Sequence, residues 1–360
     1  MLQYFAALNS LEKLTPLRFG RLLQFFRNDA EKIWKSSRQD WQEAGIDFKA
    51  VSEIFTVKEK IQPDEILKNL EKIGAKVLSI SDEKYPKLLK ETYDAPPVLL
   101  YRGEFPLPVD DFAVAVVGSR ILTSYGQQAT AEIARGLAQT GVSIVSGLAV
   151  GADAVAHQAA LDCGGRTVAV LGNGIDFIYP PRNQKLGEEI LKKGGAIISE
   201  FPAGTEPSAY NFPLRNRIIA GLSRGVVIGE GREKSGSLIT ASLANEFGRD
   251  VFAIPGSIFS ENSIGPIRLI QSGAKPIICA ADVLESLEFG DLDSKIKVRE
   301  VIADSPEEAK LLQILQKTPL HADEISRESG FTASEASSIL SLLEMKGLAK
   351  NLGGMNWVRI

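Results

Sequence analysis

Residues 113–120 read AVAVVGSR and residues 142–151 read VSIVSGLAVG. Each is a short β-branched run ending on small residues, and neither alternates apolar with polar. A strand that is apolar on both faces is one covered by helices on both sides. Five more such runs follow at 167–171, 196–199, 226–228, 251–254 and 276–279, separated by stretches of helical length. Parallel neighbours need a crossover of about a dozen residues. Seven runs with six crossovers therefore predict an α/β fold, a doubly wound (Rossmann-like) parallel sheet.

Residues 1–85 carry helical spacing instead, with Leu8, Leu11, Leu14, Leu22, Leu23, Ile66, Leu70 and Ile73 apolar and Pro16 and Pro63 as punctuation. They read as an N-terminal helical domain. Residues 86–112 form a Pro-rich lead-in to the sheet domain, which spans 86–290, and the run 98–101 inside it reads as one edge strand. Residues 291–304 are charged and poor in large apolar side chains, as a linker is. In 305–360, helices are expected at 307–316, at 321–328 and from Thr332, where Glu335 three residues on completes a capping box. Gly353-Gly354 then lies between two short runs, a hairpin signal. Three helices and a hairpin predict a C-terminal winged helix, whose third helix offers only Lys346 as a cation.

The 360 residues carry 41 Lys plus Arg against 45 Asp plus Glu, a net charge of −4. That balance excludes a diffuse polyelectrolyte grip on nucleic acid, so any polyanion site must be concentrated. Cys163 and Cys279 stand far apart with no ligand-spaced neighbours, which argues against a disulfide framework and against a metal. No signal peptide and no apolar stretch of about 18 residues is visible, so a cytoplasmic location away from the membrane is expected.

In an open parallel sheet the ligand sits beyond the carboxyl ends of the strands. The first run ends Gly118-Ser119-Arg120, where Gly permits close backbone approach and Ser and Arg supply donors to an oxyanion. The second ends Ser146-Gly147 and leads to Asp153, read as a helix N-cap, and to His157, read as a packed or surface side chain. After Gly172-Asn173-Gly174, Phe177 stands where a dinucleotide fingerprint needs its third Gly, so no nucleotide cofactor is expected. Downstream, Pro180 and Pro181 could present Arg182 and Asn183. The fourth run leads to Phe212, Arg215, Asn216 and Arg217, two cations and an amide beside an aromatic face, the pattern of phosphate and base contacts. Lys234-Ser235-Gly236 after the fifth run lacks the order of a Walker lysine. Glu200 and Glu230 are the only carboxylates at strand ends. Charge balance among the arginines explains them as simply as base catalysis does, and no catalytic residue is assigned. Ile264, Ile267, Leu269 and Ile270 crowd one short helix with more apolar positions than one buried face uses, which predicts a two-fold homodimer contact.

Gly118-Ser119-Arg120, Ser146-Gly147 with Gly151-Ala152-Asp153, the 172–183 stretch, Phe212 to Arg217 and the 234–240 stretch, in this order and spacing, resemble the DprA/Smf (DNA-processing protein A) family. The resemblance implies an N-terminal domain of SAM or helix-hairpin-helix type, a Rossmann-like DNA-binding domain and a winged helix. It also implies a protein that binds and protects incoming single-stranded DNA in natural transformation, dimerises and loads the RecA recombinase. Family contacts carry over to Ser119, Arg120, Phe212, Arg215 and Arg217. Pro181 stands where several members have Lys, leaving Arg182 as the nearest cation. Two other classes fit the same architecture. A nucleotide-processing hydrolase would depend on Glu200 or Glu230, and a transcription regulator would read duplex DNA through the winged helix.

Overall fold

A computed structural model of the protein describes residues 1–288, 306–315, 319–345 and 349–359. The linker expected at 291–304 and Lys346 lie outside these residues. Contacts divide the chain into two units, 1–292 and 293–360.

In the first unit, nine strands form one sheet: β1 (Lys76–Ser79), β2 (Val98–Gly103), β3 (Ala113–Val117), β4 (Ser143–Ser146), β5 (Thr167–Val170), β6 (Ala196–Ser199), β7 (Gly225–Ile228), β8 (Asp250–Ala253) and β9 (Lys275–Pro276). Their spatial order is β1-β2-β6-β5-β4-β3-β7-β8-β9. All pairings from β6 through β9 are parallel. The chain therefore winds outward from β3 to β6, then returns to the other side of β3 at β7. That reversal is the switch point of a doubly wound sheet. All seven expected strands form. The last shrinks to two residues because it has a neighbour on one side only.

Two readings are corrected. The run at 98–101 is not an edge strand, because β1 pairs outside β2, antiparallel, with Val77 opposite Leu100. β1 itself lay within the segment read as helical. The helices of the first 74 residues also share a core with the sheet: Phe5, Leu8, Trp41 and Ile54 belong to the same buried cluster as Val98, Leu100, Leu171 and Ile197. The helical segment is thus packed onto one end of the sheet rather than standing as a separate body ending at residue 85. Arg166 clasps the lead-in from the sheet side, its Nε 2.7 Å from Asp110 Oδ1.

Helices Ser124–Gln139, Ala152–Asp162, Gln184–Lys192, Asn211–Leu222, Gly236–Glu246 and Ile264–Gln271 each follow a parallel strand. Each therefore begins at the carboxyl edge of the sheet and aims its free N–H groups there.

The second unit comprises helices Pro306–Ile314, Ala322–Ser329 and Ala333–Met345 and strands Leu320–His321, Ala349–Gly353 and Asn356–Arg359. The hairpin forms as expected, with Lys350 opposite Val358. Thr332 N–H donates to Glu335 (2.8 Å) and Glu335 N–H to the Thr332 hydroxyl (3.3 Å), the expected capping box. Leu311, Ile325, Leu340, Leu343 and Trp357 fill its core. This is a winged helix.

Candidate nucleic-acid interface

A cleft of about 490 Å³ opens at the switch point, between the ends of β3 and β7. Gly118, Arg120, Phe212, Arg215, Asn216, Ser235 and Gly236 all line it. Gly118 is required there: a Cβ would lie 2.8 Å from Ala152 Cβ and 2.9 Å from the Glu230 carbonyl. The side chain of Ser119 turns back into its own loop, donating to the Ile121 carbonyl (2.7 Å). Arg120 is exposed, and its guanidinium lies 5.3 Å from the Phe212 ring centre without an ion pair among the described residues. Tyr179 also stacks on Phe212, at 6.1 Å and 26°. A cation and a second ring thus both neighbour Phe212. The sequence reading passed over Tyr179, although an aromatic immediately before Pro180-Pro181 was the available signal.

Several expected contacts are internal instead. Arg215 is 4% exposed. Its Nη1 donates to the Gly147 carbonyl (2.5 Å) and to the Val170 carbonyl, binding the ends of β4 and β5 together. Gly147 makes room for it, since a Cβ there would fall 2.3 Å from Nη1. Burial lowers the Arg215 pKa to about 10, with Arg120 pushing the same way and Asp153 opposing, so the guanidinium stays charged at neutral pH. Arg217 is 6% exposed and sits between Glu200, which it meets at hydrogen-bond distance, and Asp94 (3.4 Å). It faces carboxylates within the protein, not the cleft. Asn183 is likewise buried and donates to the Leu148 carbonyl (2.8 Å). Arg182 and Lys234 are exposed beyond the cleft lining.

Asp153 does not cap its helix, because the N-cap position is Gly151. Its carboxylate accepts instead from the backbone N–H of Gly147 (3.1 Å) and Ala149 (3.2 Å), fixing the loop that leads into the cleft. Burial raises its pKa against the pull of Arg215. Glu230 accepts from Thr123 N–H (2.8 Å) and the Thr123 hydroxyl (2.5 Å), which pins the start of helix Ser124–Gln139 behind Arg120. Both carboxylates that a hydrolase would need, Glu200 and Glu230, are buried in structural pairings.

His157 is fully buried on the helix whose first turn holds Asp153. Thr167 spends its hydroxyl proton on the Ile144 carbonyl (2.7 Å), so His157 Nδ1–H is the donor in their 2.6 Å contact, and the ring is neutral. Burial holds its pKa at about 3, against 6.5 when unfolded. Between those values the unfolded chain binds a proton that the folded chain refuses, so stability is complete above pH 6.5 and falls as pH drops toward about 3. Unfolding free energies from urea melts are expected to fall by up to about 1.4 kcal/mol for each pH unit lost across that window. His157→Gln should flatten that slope, and an unchanged slope would contradict the assignment.

The cleft exposes Arg120, without an ion pair among the described residues, together with a ring pair and the N-termini of helices Asn211–Leu222 and Gly236–Glu246. Fold and site together define the class: a doubly wound α/β domain with a cation-and-aromatic cleft at its switch point, followed by a winged helix. The chain belongs to the DNA recombination-mediator protein A family, whose sequence model matches residues 76–288, and the DprA winged helix domain matches residues 298–355. Protein Smf of Synechocystis sp. is 35% identical, over 99% of this chain and 98% of that protein. DNA processing protein DprA of Bacillus subtilis is 44% identical over 59% of this chain and 72% of its own length. The X-ray structure of DNA processing protein A from Streptococcus pneumoniae superposes with a TM-score of 0.70 at 38% identity, covering 79% of this chain and 98% of that one. DNA processing protein A from Helicobacter pylori, described for its single-stranded DNA binding mode, matches with a TM-score of 0.54 at 32% identity, covering 60% of this chain and 96% of its own. No helix among the described residues is long and apolar enough to cross a membrane.

Proposed function

We propose that this protein binds single-stranded DNA without breaking bonds in it, protects strands entering the cell in natural transformation and hands them to the RecA recombinase. The observation that carries the reading is Arg120, exposed, without an ion pair among the described residues and laid against Phe212 in the switch-point cleft. A guanidinium grips a phosphate in two places, while the adjoining rings accept any unstacked base. Duplex DNA keeps its bases stacked and cannot use those rings. The described binding mode of the Helicobacter pylori relative supports the ligand class. A catalytic reading gains little from Glu200 and Glu230, because Glu200 Oε2 is held by Arg217 and the Glu230 carboxylate by Thr123. Mixing the protein with nucleoside monophosphates and finding released base would revive it. Arg182, Lys234, Ser235 and Gly236 are proposed as outer contacts along the strand. Arg215, Arg217 and Asn183 act only through the walls they hold.

The working form is proposed to be a homodimer in the cytoplasm. Ile264, Ile267 and Ile270 are half-buried at three-residue spacing on one helix, and Ile278, just beyond the strand that follows it, is 85% exposed. Leu269 packs against the subunit's own core, so it serves folding first. Ile267→Glu with Ile270→Glu is expected to give a folded monomer in sedimentation at micromolar concentration, and a dimer surviving both changes would contradict this contact. Delivery to RecA would be tested by the rate of recombinase filament formation on strands already coated with single-strand-binding protein.

A further inference from the structure

Turn tips are ordinarily Gly, Asn, Asp, Ser or Pro. After β8 the chain makes a hydrogen-bonded turn, Ser260 N–H to the Ser257 carbonyl (3.0 Å), whose two central residues are Ile258 and Phe259. They are 77% and 93% exposed. Ordering two large apolar side chains in water gains nothing by itself, so the tip needs a partner. The turn is also braced. Tyr125 Oη donates to the Pro255 carbonyl (2.5 Å), Gly231 N–H to the Asn262 carbonyl (2.6 Å), and Asn262 Nδ2 to the Ile121 carbonyl (3.1 Å). Ile121, 79% exposed, directly follows Arg120. The Phe259 turn is therefore tied by hydrogen bonds to the segment that carries the free guanidinium. It leaves the same carboxyl edge of the sheet, two strands from β3.

We infer that Phe259, with Ile258 next to it in the turn, is a second stacking platform for the bases of a single strand, on the same edge of the sheet as the Arg120 cleft. This rests on the proposed single-strand reading. Lys234 and Arg120, both exposed and without ion pairs among the described residues, supply charge for the backbone. A preformed aromatic costs little entropy to engage, and it accepts any base.

The test uses the full-length protein and fluorescein-labelled oligo-dT of about four and about twenty nucleotides, bracketing the sizes of single-strand sites. Phe259→Ala should weaken binding of the longer strand roughly 5- to 150-fold, the span of one base stack, with little effect on the shorter. Phe259→Leu, which keeps apolar bulk but loses the π-face, should lose most of the same affinity. Sedimentation should show the wild-type oligomer. If Phe259→Ala leaves the longer strand bound at wild-type affinity while Arg120→Ala weakens it, the platform is refuted and the cleft stands. If neither change matters, the single-strand reading fails as well. If Phe259→Ala dissociates the oligomer and Phe259→Leu does not, the turn is covered by a second copy of the chain and the inference falls.

Discussion

Arg217→Ala is expected to cost about 3–5 kcal/mol of stability, the usual loss when one member of a buried ion pair is removed. Glu200 and Asp94 converge on this guanidinium, and burial already pushes the pKa of both carboxyls up against its attraction. Without it, Glu200 must stay charged in a dry site or take up a proton there, and either route penalises the fold. The balance is close even in the native protein, since Asp94 Oδ1, Glu200 Oε1 and Arg217 Nη1 each find no hydrogen-bond partner among the described residues. Urea midpoints should fall with an unchanged m-value. Combining Arg217→Ala with Glu200→Gln should cost less than the two separate losses added together, because the stranded charge is gone. A loss below about 1 kcal/mol for Arg217→Ala would show that the pair is solvated and free to face a ligand.

The largest functional loss is expected from Arg120→Ala combined with Phe212→Ala. A charge-assisted contact contributes roughly 1.5–3 kcal/mol, and a base stack about 1–3. The guanidinium rests on the same ring, so each substitution also disturbs the other group, and the double variant should lose less than the sum. Affinity for oligo-dT is expected to drop by roughly two to three orders of magnitude. The fold should survive, because Arg120 is exposed and Phe212 only half-buried. The single variants separate the roles: Phe212→Ala should change affinity with little change in salt dependence, and Arg120→Ala should change both. A double variant that binds like wild type would empty the cleft of its proposed role.

The sheet was legible because parallel strands are buried on both faces, so 114–117, 142–145 and their successors print as unbroken apolar runs. Their parallel pairing was legible from crossover length, and their spatial order came only with the structure. β1 was not, because four residues, KVLS, carry too little pattern to separate a strand from the end of a helical segment, and its pairing with β2 is set by tertiary contact. The cleft was half legible. Gly118, Arg120 and Phe212 stand where strand ends and a helix N-terminus must meet. The burial of Arg215 and Arg217 was not legible, because a charged side chain in a sequence looks solvent-bound until its partners are known. Those partners are two backbone carbonyls from β4 and β5 in one case, and Glu200 and Asp94 from distant segments in the other. Asp153 was misplaced for a related reason: its position suits an N-cap, but the loop before it folds back and claims the carboxylate.

The central claim is that Arg120 holds a phosphate of single-stranded DNA. It is tested most directly by fluorescence anisotropy on oligo-dT, and on a duplex of equal length, across a salt series for wild type and Arg120→Ala. For single strands, log affinity falls with log salt at a slope of about −0.7 per neutralised phosphate. The wild type should prefer the single strand, and Arg120→Ala should bind it more weakly with a slope shallower by about 0.7. Arg120→Lys should recover the slope and only part of the affinity, because an ammonium cannot copy the two-point grip. Equal affinity and an unchanged slope in Arg120→Ala, or a preference for duplex in the wild type, would contradict the account.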